Sequence, residues 1–202
     1  MKRMSLFPVL ALLAACGATP PPSAPVDDSL APSFGHLDGL PATSGALVCG
    51  FVADLDELLG EFDHQVAPFD DERLNRALAS ARVSVVEARD DALVPQLTQA
   101  ARDLRSAMRE LEKGASLSSV SGNGFADDLA SLGSFFAERF TQELIEMASV
   151  LSVSPDVISD ATSDFEGGVA ARGEEEWERS LRYFGQAIRK LEHQVEIGTP
   201  CG

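Results

Sequence analysis

The sequence is poor in the residue types that build metal and stacking sites. It has three histidines, one tryptophan and one tyrosine among 202 residues. Di-iron bundles need two Glu-x-x-His pairs, and this sequence has one. Trp177 falls within an apolar stripe, which argues against a stacking platform. The sequence also contains no phosphate-binding glycine loop, no haem-attachment motif and no nucleophile elbow. We therefore predict no catalytic residues, no metal site and no cofactor.

Basic residues are also scarce. The sequence has 16 Lys and Arg and 32 Asp and Glu, so the formal net charge is −16. Because nucleic acids and anionic lipid headgroups are bound through clustered cations, a chain this acidic should repel both at a distance. We predict no nucleic-acid partner.

Long hydrophobic runs are missing as well. The apolar run Leu6–Ala15 has ten residues, about half of the ~20 that a membrane-spanning helix requires. It follows Lys2 and Arg3 and ends in small residues, which is the composition of a secretory signal. We expect residues 1–15 to be a signal peptide.

The end of this run, Leu13-Ala14-Ala15-Cys16, resembles the lipobox of bacterial lipoproteins. The resemblance implies that Cys16 receives diacylglycerol, that a peptidase cleaves before it, and that palmitate-type acyl chains then anchor the protein to a membrane. It implies a location in the cell envelope. The residue after Cys16 is glycine rather than aspartate, which favours the outer membrane, facing the periplasm or the surface, over the inner membrane. The alternative is an ordinary secretory signal with a chance cysteine.

Proline dominates the next segment. Six prolines lie between residues 17 and 43, and no apolar periodicity survives there. Because proline removes a hydrogen-bond donor and fixes φ, we expect residues 16–43 to form a lipid-anchored, disordered tether.

Residues 44–202 carry helical periodicity. Apolar residues recur at three- and four-residue steps from about residue 45 to 65, from 70 to 113, from 125 to 152 and from 174 to 196. Pro95 lies where two out-of-phase stripes meet, which predicts a bend or break there. We expect an N-cap at Asp70, a loop over residues 114–124, and a weaker helix from Pro155 to Ala171 that breaks near Gly167 and Gly168.

No segment alternates as a strand over more than a few residues. The fold class is therefore predicted as all-α, an antiparallel helical bundle of about four passes, some of them broken. A search for a repeat near 34 residues finds none, which leaves a helical solenoid as the second choice.

Two cysteines remain once Cys16 is lipidated. Outside the cytoplasm they are most simply one disulfide, Cys49–Cys201. An even number of helical passes would bring these two ends together. Two free or metal-bound thiols are the alternative.

One Glu-x-x-His pair, Glu61 and His64, matches half of a di-iron pattern. Phe62 marks the core side of that helix, so both side chains should point away from the core. Of the other histidines, His36 lies in the tether and His193 near the end of the last helix. The acidic clusters mostly fall where helices begin, so the helix dipole accounts for them.

We interpret the domain as a non-enzymatic bundle that acts by contact with another envelope component, for which we expect an envelope protein of unknown identity. One alternative is a carrier of small apolar ligands, with a cavity lined by phenylalanines. These would be Phe51, Phe62, Phe125, Phe135, Phe136, Phe140 and Phe184. The other is an envelope enzyme with an unfamiliar site.

Overall fold

Helices supply all the regular structure of the residues that the computed structural model describes, 44–65, 68–117 and 122–197. The predicted all-α class is confirmed. The six helices are α1 (Ser44–His64), α2 (Glu72–Leu93), α3 (Leu97–Leu117), α4 (Gly122–Val150), α5 (Pro155–Gly173) and α6 (Trp177–Glu192). The expected signal peptide and tether lie outside the described residues.

The predicted break at Pro95 is confirmed, and it is a full reversal of the chain. Helix α2 ends at Leu93 and α3 begins at Leu97. A Cβ placed on Gly114, near the end of α3, would lie 3.1 Å from Leu74 Cδ1 and 3.3 Å from Ala77 Cβ, near the beginning of α2. The two helices are therefore an antiparallel hairpin, which raises the expected four passes to six helices.

Three boundary predictions are wrong. The N-cap of α2 is Asp71 rather than Asp70, since its carboxylate accepts hydrogen bonds from the backbone of Arg73 at 2.8 Å and Leu74 at 3.3 Å. The loop expected over residues 114–124 is shorter, because α3 continues to Leu117 and α4 begins at Gly122. The last helix begins at Trp177, about one turn later than expected.

The break expected at Gly167–Gly168 is also wrong, because α5 continues through both glycines. A Cβ on Gly168 would lie 2.3 Å from Cε1 of Phe184. Glycine at this position allows α5 and α6 to pack closely, and that contact outweighs the low helix propensity of the pair.

The predicted apolar stripes form one continuous core. The stripe of α6 is buried from Trp177 to Val195, whereas Leu151, expected to extend the α4 stripe, is 53% exposed. Helix α4 packs against α1, α3, α5 and α6. Phe51 and Phe140 join α1 to α4 by stacking, with ring centroids 4.3 Å apart.

Two buried polar contacts also link elements. Asp54 of α1, which is buried, pairs with Arg139 of α4. Burial raises the pKa of Asp54 even though the guanidinium lowers it. The hydroxyls of Ser134 and Ser180 lie 2.7 Å apart in the core. Because Ser180 Oγ donates to the carbonyl of Trp177 at 2.8 Å, Ser134 donates to Ser180.

The α2–α3 and α5–α6 hairpins are built alike, at a spacing of 80 residues. Asp91 O accepts hydrogen bonds from the N–H groups of Val94 at 3.3 Å and Gln96 at 2.9 Å. Ala171 O accepts the equivalent bonds from Glu174 at 3.1 Å and Glu176 at 3.0 Å. Both turns have three residues between helices. This repeat is not visible as a 34-residue period because its spacing is longer and the two hairpins share few side chains.

Candidate functional site

The second helices of the two hairpins, α3 and α6, pack against each other and run in opposite directions. Glu192, at the end of α6, accepts the backbone N–H of Thr98 at the beginning of α3, at 3.2 Å. Glu112, in the C-terminal part of α3, accepts the backbone N–H of Glu178 at the beginning of α6, at 2.7 Å. Each glutamate thus satisfies a free N–H of the other helix and complements its dipole. The exchange relates the hairpins by an approximate twofold axis.

An open groove follows the α3–α6 contact on its solvent side. Its central section holds about 230 Å³. The residues that line this section are Thr98, Ala101, Arg102, Arg105, Leu181, Arg182, Gly185, Gln186 and Arg189. The floor is low because Gly185 has no side chain and Ala101 lies beneath it, 3.5 Å from the position of an added Cβ. Small residues where the helices cross therefore leave room for a ligand above them.

Four arginines surround this central section. Arg105 is half-buried and donates to Glu178 Oε1 at 2.5 Å. Arg102, Arg182 and Arg189 are exposed, and none of them forms a salt bridge with any described residue. Arg102 and Arg182 occupy equivalent positions in the two hairpins. The central section is therefore a local concentration of positive charge in a chain with a net charge of −16.

Guanidinium groups can bind but cannot act as bases, because arginine keeps its proton throughout the accessible pH range. Their planar forks match carboxylates and phosphates, to which they donate paired hydrogen bonds. The arrangement is thus suited to holding an anionic group.

Comparisons with known proteins identify no relative. No protein-family model, no curated protein and no solved structure matches the chain.

The two ends of the groove differ in their lining, although the two hairpin turns share the hydrogen bonds to Asp91 O and Ala171 O. One end holds about 550 Å³ and contains one carboxylate and three apolar residues. Its lining comprises Pro95, Gln96, Thr98, Gln99, Arg102, Arg189, Glu192, His193, Val195 and Ile197. The other end holds about 430 Å³ and is lined by Glu112, Glu175, Glu176, Glu178, Arg179 and Arg182. The first end is mixed apolar and polar, whereas glutamate dominates the second.

A pair of carboxylates lies beside the groove, where α2 meets α3. Burial raises the pKa of Asp103 to about 6, helped by its hydrogen bond with Asp91. The side-chain amide of Gln99 donates to both carboxylate oxygens of Asp103, at 3.1 Å each, which opposes part of this shift.

The sequence-predicted metal pair lies on the surface. His64 Nδ1 is 3.4 Å from Glu61 Oε2, and the two side chains are 75% and 44% exposed. Both point away from the core, as expected from Phe62. Among the described residues, no three His, Cys, Asp or Glu side chains form a group that could hold a metal ion. His193 is exposed at the end of α6 and lines the groove, a position that its sequence context did not indicate.

The described residues include only one of the three cysteines for which lipidation or a disulfide is predicted. Cys16 and Cys201 lie outside the described residues. Cys49 is partly buried near the beginning of α1. Ser44 Oγ donates to the backbone carbonyl of Glu196 at 2.8 Å, so the beginning of α1 lies beside the chain that leads to Cys201. No helix in the described part of the chain has the length and hydropathy to cross a bilayer.

The seven phenylalanines expected to line a carrier cavity differ in their burial. Five of the seven are buried, whereas Phe125 is half-buried and Phe135 is 37% exposed. Phe51 stacks on Phe140, and Phe184 packs against Phe165 with centroids 5.8 Å apart. None of the seven lines the arginine groove.

Proposed function

We propose that this protein is a non-enzymatic contact module of the bacterial envelope that binds an acidic partner protein through the arginine groove between α3 and α6. The observation that carries the proposal is the group of three exposed arginines, Arg102, Arg182 and Arg189, without carboxylate partners among the described residues. Elsewhere the cations of this chain mostly face acids, as Arg82 faces Asp63 and Arg89 faces Asp56. Charge complementarity with a partner would explain why these three are left open.

The proposed partner is a protein rather than a nucleic acid or a lipid surface. A long polyanion would experience the whole field of a chain with a charge of −16. A short acidic protein segment carries few charges and meets mainly the local field of the groove. The central section, about 230 Å³, continues into end sections of about 550 and 430 Å³, so the groove is an open, elongated channel suited to an extended segment.

The proposal includes the membrane tether that the lipobox resemblance implies. Lipidated at Cys16, the protein would be held at the outer membrane through a proline-rich spacer, and its helical domain would be free to meet partners near the membrane. Two or three acyl chains suffice for stable anchoring.

Binding is tested with a fluorescein-labelled hexaglutamate peptide and the full-length chain purified in mild detergent. Arg102, Arg182 and Arg189 are replaced together by glutamine. Because charge-assisted hydrogen bonds contribute about 1.5–3 kcal/mol each, we expect the triple variant to bind at least ~10-fold more weakly. Binding of the original chain should weaken as salt increases.

The matched control replaces Arg73, Arg76 and Arg82, which are exposed on α2 outside the groove. It makes the same change in net charge and should keep the affinity within about twofold, because salt screens exposed charges that lie outside the groove. The proposal fails if the groove variant binds like the original chain, or if the two triple variants lose affinity equally. Circular dichroism checks that both variants fold.

A further inference from the structure

We infer that the groove binds an acidic segment with a defined polarity, in which apolar residues adjoin the carboxylates on one side only. This inference rests on the proposed function and specifies the partner. It follows from the contrast between the two ends of a groove whose backbone is nearly twofold symmetric.

The central and apolar sections are continuous. Thr98, Arg102 and Arg189 line both of them. A segment whose carboxylates lie on the arginines therefore extends directly over Pro95, Val195 and Ile197. Val195 is 3% exposed and Ile197 is partly buried. Pro95 is also partly buried, so Pro95 and Ile197 present the accessible apolar surface of this section, with Val195 packed beneath them. A leucine or similar side chain can be removed from water against that surface.

The opposite end rejects such an extension by its charge. At the positions equivalent to Pro95, Gln96 and Thr98 stand Glu175, Glu176 and Glu178. Four glutamates outnumber Arg179 and Arg182 in this lining, so a carboxylate placed there meets a net negative charge, and a leucine meets a charged surface. An acidic segment is therefore disfavoured at this end, and its favourable orientation leads toward Ile197.

The groove also has a defined shape at the acidic end. Glu175 has a positive φ of 60°, in a turn where the other hairpin has Pro95. Glu176 forms an ion pair with Arg179 at 2.5 Å. The acidic end is thus a three-residue turn between α5 and α6, in which Glu175 and Glu176 are exposed.

The test compares two labelled peptides, hexaglutamate and a hexapeptide with four glutamates and two leucines at one end. The leucine peptide is made in two forms, with the leucines at the N-terminus or at the C-terminus, and the form with the lower Kd for the original chain is used. For the original full-length chain, we expect the leucines to strengthen binding about fivefold or more, because they bury apolar surface at the Ile197 end.

Two variants then separate the ends. Ile197→Ser should remove the advantage of the leucine peptide and leave hexaglutamate binding nearly unchanged. The double substitution Glu175→Lys and Glu176→Lys should strengthen hexaglutamate binding more than leucine-peptide binding, since the far end now accepts carboxylates. The matched control, Asp128→Lys with Glu146→Lys, changes exposed acids of α4 outside the groove and should leave the ratio of the two affinities as it was.

The outcomes distinguish this inference from the proposed function. If hexaglutamate binds and the leucines add nothing, or if Ile197→Ser leaves their advantage intact, the polarity is wrong and the acidic partner stands. If neither peptide binds the original chain, both proposals fail. If inorganic phosphate at millimolar concentration displaces hexaglutamate completely, the groove holds single anions, and the inferred segment is likewise overturned.

Discussion

At the scale of single residues, burial decides which charged side chains need a partner within the fold. Asp54 is buried and needs Arg139, whereas Arg102, Arg182 and Arg189 remain exposed and open. Desolvation costs free energy only when a charge leaves water. Exposed arginines therefore cost the fold little, and they keep their hydrogen-bonding capacity for a ligand.

The pair Asp91 and Asp103 predicts a pH effect on stability. The raised pKa of Asp103, about 6, means that the folded state binds a proton more tightly than the unfolded chain does. Stability from this group is therefore gained as pH falls from about 6 toward 4, and it is lost as pH rises through 6. Partial exposure limits the effect to roughly 1 kcal/mol.

Urea denaturation at pH 7 and pH 5 measures this effect. Asp103→Asn should be more stable than the original chain at pH 7, with the difference shrinking at pH 5. Asp128→Asn, an exposed acid of α4, serves as the control and should show no such convergence. Parallel pH curves for Asp103→Asn and the original chain would contradict the prediction.

At the scale of elements, close packing decides where helices continue. Helix α5 contains Gly167 and Gly168, which lie against Tyr183 and Phe184 of α6. Helix propensity alone disfavours two adjacent glycines by about 2 kcal/mol relative to alanine. The hairpin contact compensates for this, because only glycine lets the Phe184 ring approach the α5 backbone.

We predict that Gly168→Ala destabilises the fold by about 1–3 kcal/mol, because its Cβ would lie 2.3 Å from a carbon of the Phe184 ring. The control is Gly60→Ala in α1, where a Cβ would meet nothing within 4 Å. That change should stabilise the protein by about 0.5–1 kcal/mol through helix propensity. Thermal unfolding of both variants measures the difference, and equal stabilisation by the two would show that α5 and α6 are not in close contact.

At the scale of the whole molecule, the two ends of the domain come together. The hydrogen bond from Ser44 Oγ to the carbonyl of Glu196 joins the beginning of α1 to the segment after α6. An even number of helices between these points makes the approach possible without a long connection. The same approach supports the Cys49–Cys201 disulfide, which stays a prediction.

The disulfide would close a loop of about 150 residues, for which chain entropy gives an upper estimate of about 5 kcal/mol. Exported protein should yield a Cys49–Cys201 cross-linked peptide by mass spectrometry without reduction. Cys49→Ser and Cys201→Ser should each lower the melting temperature to that of the reduced protein. Free thiols at both positions in exported protein would refute the bond.

Lipidation is a separate prediction at this scale. Cys16→Ser should leave an unlipidated precursor that no longer partitions into membranes or a detergent-rich phase, because its anchor is missing. Cys49→Ser is the matched control, since it removes a cysteine and should leave fractionation as it was. If Cys16→Ser fractionates like the original chain, the lipobox interpretation is wrong.

The sequence by itself determined the helical class, the apolar stripes and the reversal at Pro95. These properties are local, since a stripe such as Trp177 to Val195 follows from helical periodicity, and a proline removes its hydrogen bond wherever the chain goes. The exposed positions of Glu61 and His64 were predictable for the same reason. The lipobox is likewise a local pattern, although it lies outside the described residues.

Only the tertiary structure decided which helices pair, and therefore where the groove lies. Arg102 and Arg189 are 87 positions apart in the sequence, and nothing local indicates that α3 and α6 cross beneath them. The shared spacing of Arg102 with Arg182 and Arg109 with Arg189 was visible, but it gains meaning only from the equivalent hairpins. Gly168 shows the same limit, since its low helix propensity is a property of one residue and the contact that overrides it belongs to Phe184, on another helix.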